Sequence, residues 1–209
     1  MEERIRKRKI VLVGTGFVGM SFAYSLLSEK GINELVLIDM NKDKAVGEQM
    51  DLSDGLPYAD SKMTIKAGEY EECGDADIVV ITAGAAQKPG QTRLELVGIN
   101  ARITKDVATQ VKNSGFKGIL VVASNPVDIM TYVAYKASGL PKEHVIGSGT
   151  ILDTARLRYN ISKRLGMAPS NVHAYILGEH GDSSFVPWIH CYLGCKNLLE
   201  YIDEEDNLT

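Results

Sequence analysis

The sequence predicts an α/β fold: a doubly wound parallel sheet leading into the start of a second, α+β domain. Three observations predict it. Short apolar runs recur at residues 10–13, 35–38, 78–82, 119–123 and 145–146, with a weaker one at 63–66. They are rich in Val, Ile and Leu and lack polar alternation, as strands buried on both faces do. Between them lie longer stretches with helical spacing, and Gly31, Gly115 and Gly139 stand where those helices should stop. Strand–helix alternation of this kind builds a parallel sheet covered by helices.

In chain order, the strand at 10–13 feeds a helix at 18–28, whose Phe22, Leu26 and Leu27 form an apolar side. The strand at 35–38 precedes a helix at 42–52. The strands at 63–66 and 78–82 precede a helix at 94–113, and the strand at 119–123 a helix at 127–138. The sixth strand closes the first domain, expected to span residues 1–148. Residues 149–209 are expected to begin the second. There 152–165 reads as a helix, 172–177 as a strand delivering His180 to a loop, and 203–206 as an acidic tail.

Composition narrows the function. Hydrophobic residues make up 44% and charged residues 24% of 209, as in ordinary globular proteins. Lys and Arg number 23 against 27 Asp and Glu, a net charge of -4, which argues against nucleic-acid binding. Arg4, Arg6, Lys7, Arg8 and Lys9 read as a solvated arm. No apolar run reaches membrane-spanning length, and no signal core follows the basic N-terminus. The cysteines Cys73, Cys191 and Cys195 are odd in number, which disfavours a disulfide framework and fits a reducing cytoplasm. Cys191, Cys195 and His190 lack a fourth ligand, so no metal is expected.

Gly14-Thr15-Gly16-Phe17-Val18-Gly19 follows the first strand and opens the first helix. Glycines at this spacing let backbone approach a pyrophosphate, which then sits at the positive end of the helix. Asp39 ends the second strand, about twenty residues downstream, where a carboxylate can accept both ribose hydroxyls and repel a 2′-phosphate. The reading is a Rossmann sheet that binds NAD rather than NADP. Thr82-Ala83-Gly84-Ala85 lies at the end of the fourth strand, where small residues leave room for a cofactor.

Gln87-Lys88-Pro89-Gly90-Gln91-Thr92-Arg93 reads as an exposed loop carrying a cation into the next helix. On a mobile loop Arg93 could polarise a carbonyl; equally, it could be a surface residue. Asn125 could bond a substrate oxygen or simply form the turn before Pro126. Asp153 and Arg156 share a helix face, beside Leu152, Thr154, Ala155 and Leu157, a set unlike a surface. A buried Arg156 could hold a carboxylate through two parallel hydrogen bonds. His180, in Gly178-Glu179-His180-Gly181-Asp182, titrates near neutrality and could exchange a proton, with Asp153 fixing its tautomer.

Together these residues resemble the L-lactate dehydrogenase branch of the lactate/malate dehydrogenase superfamily, from about Lys9 to about Trp188. The resemblance implies NAD-dependent interconversion of pyruvate and (S)-lactate, the last step of anaerobic glycolysis, by a cytoplasmic homotetramer. It makes His180 the proton donor, Asp153 its orienting acid, Arg156 the carboxylate clamp and Arg93 the residue that polarises the ketone. Gln87 takes the specificity position, where a neutral amide disfavours a second substrate carboxylate. Val18, Lys44, Tyr70, Gly84, Ala85, Ala123 and Ser148 fall where the family contacts NAD. Arg158 and His173 match a pair that binds the activator fructose 1,6-bisphosphate. Gln91 departs from the family's usual Glu. The chain is also short by about a third of the family's length. It is therefore expected to lack part of the substrate domain, including a threonine that walls the pocket, and to bind NADH with little or no turnover. A silent nucleotide-binding fragment and a dehydrogenase for a bulkier 2-hydroxy acid are the alternatives.

Overall fold

The computed structural model describes residues 8–86, 90 and 92–205. The chain divides after Gly147 into two compact units. In the first, six parallel strands form one sheet: β1 (Lys9–Val13), β2 (Glu34–Ile38), β3 (Thr64–Ala67), β4 (Ile78–Ile81), β5 (Ile119–Val122) and β6 (Val145–Gly147). Their order across the sheet is β3-β2-β1-β4-β5-β6. The connecting helices are α1 (Phe17–Ser25), α2 (Lys42–Gly55), α3 (Arg93–Asn113) and α4 (Val127–Ser138).

Period-two alternation along β1 and β2 supplies both faces. Val11, Val13 and Val36 meet Val107 and Val111 of α3 and Met130 of α4 in one apolar cluster. Leu12, Leu35 and Leu37 meet Leu26, Leu27 and Leu52 in the other. Each fully buried aliphatic side chain contributes about 1.5–3 kcal/mol relative to exposure. Both faces are covered, which is why these strands carry continuous apolar runs.

Several boundaries differ from expectation. The first helix ends at Ser25 and tightens into a 3₁₀ turn over Leu26–Ser28, with Glu29 N–H bonded to the Leu26 carbonyl. The helix expected at 42–52 continues to Gly55. The fourth strand stops at Ile81, opposite the end of β1 at Val13, and beyond it the Thr82 hydroxyl bonds the carbonyl of Gly14, at 2.8 Å. Lys9 does not belong to a solvated arm. It opens β1 and is 6% exposed, its Nζ 2.6 Å from both Glu72 and Asp75. Burial works against its charge, but those two hydrogen bonds and their Coulomb attraction outweigh it and raise its pKa.

The second unit contains α5 (Ile151–Leu165), a three-stranded antiparallel sheet of β7 (Val172–His173), β8 (Tyr192–Leu193) and β9 (Lys196–Asn197), and α6 (Leu198–Glu205). Val172, Ala174, Cys191, Leu193 and Leu198 form its core, against Leu157, Ile161 and Leu165 of α5. The strand expected at 172–177 has only two residues. Beyond His173, side chains of α5 replace the ladder. Arg158 Nε donates to the Ala174 carbonyl at 2.9 Å, and the Thr150 hydroxyl donates to the Ile176 carbonyl at 2.6 Å. The Ile176 N–H donates to the Thr154 hydroxyl at 3.0 Å. Leu177 then pairs with Phe185 in an isolated antiparallel bridge. Among the described residues no helix is long and apolar enough to cross a membrane.

Candidate functional site

A cleft of about 640 Å³ opens at the carboxyl ends of β1, β2 and β4, where the strand order reverses direction. Gly14, Gly16, Asp39, Lys44, Tyr70, Gly84 and Ala85, all expected at a cofactor site, line it. Gly14 adopts a φ of 105°, and a Cβ there would stand 2.6 Å from the Ala83 nitrogen. Gly19 lies behind the turn rather than in the cleft. A Cβ on it would stand 2.0 Å from the Gly14 carbonyl oxygen, so only glycine lets α1 come this close to the strand end. Gly16 caps α1 without a side-chain hydrogen bond, and no acidic residue stands in the first turn. The helix N-terminus therefore presents its N–H groups and positive dipole to an anion.

Asp39 is tied into this turn. Its Oδ2 accepts from the Thr15 N–H at 2.8 Å and the Thr15 hydroxyl at 2.9 Å, and its Oδ1 accepts from the Asn41 N–H at 3.0 Å. Burial disfavours its charge, but these donors, with Lys44 nearby, outweigh that and hold its pKa below the ordinary aspartate value. Tyr70, on the cleft wall, is pushed up to about 12, by burial first and then by the charge of Asp106. Lys42 and Glu69, also in the lining, form an ion pair. A dinucleotide fits what is present: an anion site at a helix end, a carboxylate for ribose and an apolar wall.

The hydrogen bonds of three residues here escaped the sequence reading: those of Thr15, Thr82 and Asn100. Asn100 of α3 is buried. Its Oδ1 accepts from the Ala85 N–H at 2.8 Å and its Nδ2 donates to the Asn125 carbonyl at 3.0 Å, tying the ends of β4 and β5 together. Asn125 is exposed and precedes Pro126 through a cis peptide bond. Phe17, Val18 and Ala123 lie outside the cleft lining, and Ser148 belongs to the second unit. Gln87 and Gln91 lie outside the described residues, as does the side chain of Arg93. The backbone of Arg93 opens α3 behind a capping box of Thr92 and Glu95.

In the second unit, α5 and the loop around His180 bring two distant residues together. His180 Nδ1 lies 2.6 Å from Asp153 Oδ2. A carboxylate on Nδ1 makes that nitrogen the donor, so proton exchange with a ligand runs through Nε2. Arg156, one turn along α5, sits 3.7 Å from Asp153 Oδ1. Its side chain is 66% exposed, not buried as its neighbours suggested. Leu152 and Ala155 are exposed too, because the apolar face of α5 toward β7 and β8 is carried by Leu157, Ile161 and Leu165. Arg158 is half-buried and stacks over Tyr175, 4.6 Å from the ring centroid, while His173 is exposed on β7. Cys73 and Cys191 are buried and Cys195 exposed, all as free thiols. Burial pushes Cys73 up to about 12, far from a reactive thiolate. Among the described residues, no three His, Cys, Asp or Glu side chains are grouped to hold a metal.

Comparisons with known proteins match both units. Residues 8–147 match the family described as lactate/malate dehydrogenase, NAD binding domain. Residues 150–209 match its companion, the alpha/beta C-terminal domain. L-lactate dehydrogenase 2 of Enterococcus faecalis is 53% identical over 206 residues, covering 99% of this chain and 65% of the relative. An L-lactate dehydrogenase of Lactococcus lactis subsp. cremoris is 54% identical, covering 95% of this chain and 63% of the relative. The solved minor L-lactate dehydrogenase from Enterococcus mundtii, in its ligands-bound form, superposes with a TM-score of 0.93 at 52% identity, over 96% of this chain and 64% of that one. The chain thus spans slightly under two thirds of the length of these relatives.

Proposed function

This chain belongs to the lactate/malate dehydrogenase family, and from that premise we propose that it carries the machinery of an NAD-dependent L-lactate dehydrogenase. The observation that carries the reading is the 2.6 Å contact between His180 Nδ1 and Asp153 Oδ2. NAD supplies the hydride chemistry when bound in the first unit. His180 gives a proton through Nε2 to the carbonyl oxygen of pyruvate as it is reduced, and takes the proton back when (S)-lactate is oxidised. Asp153 holds the imidazole in the right tautomer and stabilises the imidazolium that forms in the oxidative direction. Arg156, paired only loosely with Asp153, offers its planar fork to the substrate carboxylate.

The roles of Gln87 and Arg93 rest on the resemblance. Arg93 polarises the ketone. Gln87, being neutral, favours a monocarboxylic 2-oxo acid over oxaloacetate, because a second carboxylate beside it would be desolvated without a counter-charge. Asn125 bonds a substrate oxygen. Val18, Lys44, Tyr70, Ala85, Ala123 and Ser148 serve the cofactor alongside the fingerprint glycines and Asp39. The enzyme acts in the cytoplasm as a homotetramer, in glycolytic fermentation.

Pyruvate-dependent loss of NADH absorbance tests the reading. Where the chain turns pyruvate over, His180→Asn should abolish that turnover while NADH affinity stays unchanged; retained pyruvate reduction would remove His180 from the proton step. Arg158 and His173 are proposed to bind fructose 1,6-bisphosphate. Arg158 reaches the carbonyl of Ala174, next to His173, which supports the pairing. A pyruvate saturation curve that does not move on adding the bisphosphate would end that assignment.

A further inference from the structure

Asp39 is more occupied than a ribose-binding carboxylate need be. An ionised carboxylate offers about four acceptor positions. Thr15 fills the two on Oδ2, with its N–H at 2.8 Å and its hydroxyl at 2.9 Å, and the Asn41 N–H fills one on Oδ1 at 3.0 Å. A single place on Oδ1 remains.

Thr15 lies between the two fingerprint glycines, where only backbone properties define the turn, and it is 1% exposed. It acts on a ligand only through Asp39. Of the charged and titratable groups around Asp39, Lys44 favours its ionised form, and Tyr70, Lys42 and Glu69 share the cleft lining.

We propose that Thr15 is a positioning residue for the nucleotide. Its N–H and hydroxyl lock one oxygen of Asp39 onto the fingerprint turn, so that the carboxylate stays turned toward the ribose and sets the choice of NADH over NADPH. The inference rests on the dinucleotide reading of the cleft and adds a residue to it. A free aspartate side chain rotates about two torsions, and a carboxylate held in one orientation loses less freedom on binding. Held at the same spot, its charge also meets a 2′-phosphate head-on.

The test is binding of NADH and NADPH to the purified chain by calorimetry, without turnover. Thr15→Val removes the hydroxyl and keeps the shape and the N–H. It should weaken NADH binding by about tenfold. NADPH, already rejected by the Asp39 charge, should lose less, so the preference narrows. Thr15→Ser should restore both affinities, which a role in packing alone would not require. Losing one donor also raises the Asp39 pKa, so the acid limit of NADH binding should move to higher pH in Thr15→Val. Unchanged affinity, preference and acid limit in that variant would overturn the proposal. Failure of the unaltered chain to bind NADH would instead overturn the dinucleotide reading itself. Should Thr15→Val not fold, the unaltered chain still decides. With circular dichroism showing it folded, binding of the acid-stable oxidised cofactor NAD⁺ should persist below about pH 4, the ordinary aspartate value, and loss at or above that value would refute the lock.

Discussion

The cofactor cleft of the first unit is made of backbone and buried hydrogen bonds, whereas the acid–base pair of the second is made of half-exposed side chains. In the cleft, Gly14, Gly19 and Thr82 lock into one another, and Asp39 is held by three donors before any ligand arrives. Around His180, a hydrogen bond from Nδ1 to Asp153 orients the imidazole, and Arg156 stands largely in solvent. Nucleotide binding needs a shape that never changes. Proton transfer, the role proposed for His180, needs a group whose state changes on every cycle, so its neighbours are side chains rather than a fixed backbone turn. The first site should therefore fail through stability, and the second through activity.

Asp153→Asn is the most severe test of that contrast. Where pyruvate reduction is measurable, it should cost on the order of a thousandfold in that rate, since an amide favours the wrong tautomer of His180. NADH affinity and unfolding midpoint should hold within error, and a parallel loss of either would break the distinction. Lys9→Met probes the first unit from below the sheet. Glu72, which keeps Lys66, and the largely exposed Asp75 would lose a charged hydrogen-bond partner each, which should cost about 2 kcal/mol in urea unfolding. Asn100→Ala should cost about 2 kcal/mol, because the Ala85 N–H and Asn125 carbonyl each lose a partner. Loss of NADH affinity without loss of stability would reassign Asn100 to direct contact with the ligand.

The smallest effect is on acid stability. Glu72 and Asp75 are held low chiefly by their hydrogen bonds to Lys9, and Asp39 is held low by its donors in spite of burial. Groups with depressed folded pKa values stabilise the fold fully above the ordinary carboxylate pKa and lose that contribution as pH falls through the folded values. Stability should thus hold down to about pH 4 and decline below it. Asp75 is largely exposed, so its share should stay under about 1 kcal/mol, as measured by urea midpoints against pH.

The sheet was legible because strands buried on both faces write themselves as uninterrupted Val, Ile and Leu. The glycine fingerprint and Asp39 were legible because the turn dictates their spacing. Thr15, Thr82 and Asn100 were not. Each acts on a residue 15 to 68 positions away, and nothing local marks a threonine or asparagine that will meet such a partner. Lys9 was misread for the same reason, since Glu72 and Asp75 are brought to it only by the pairing of β1 with β4. The strand after Val172 was overestimated because its apolar run continues while the hydroxyls of Thr150 and Thr154 take over its hydrogen bonds. The exposure of Arg156 could not be read from apolar neighbours, because on α5 another set faces the core.

The strand order β3-β2-β1-β4-β5-β6 also sets a timetable for the growing chain. Once β2 and β3 have been made, β1 can pair on one edge, and the fingerprint glycines are already present in the sequence. Yet the turn they form leans on Ala83 and Thr82, and the Thr82 hydroxyl bonds a carbonyl 68 residues earlier. Until β4 emerges, the other edge of β1 is open and the turn has no backing. Closing that long loop is slow compared with local helix formation. The glycines come early in the polypeptide, but the nucleotide pocket acquires its shape only after β4 and α3 have been made.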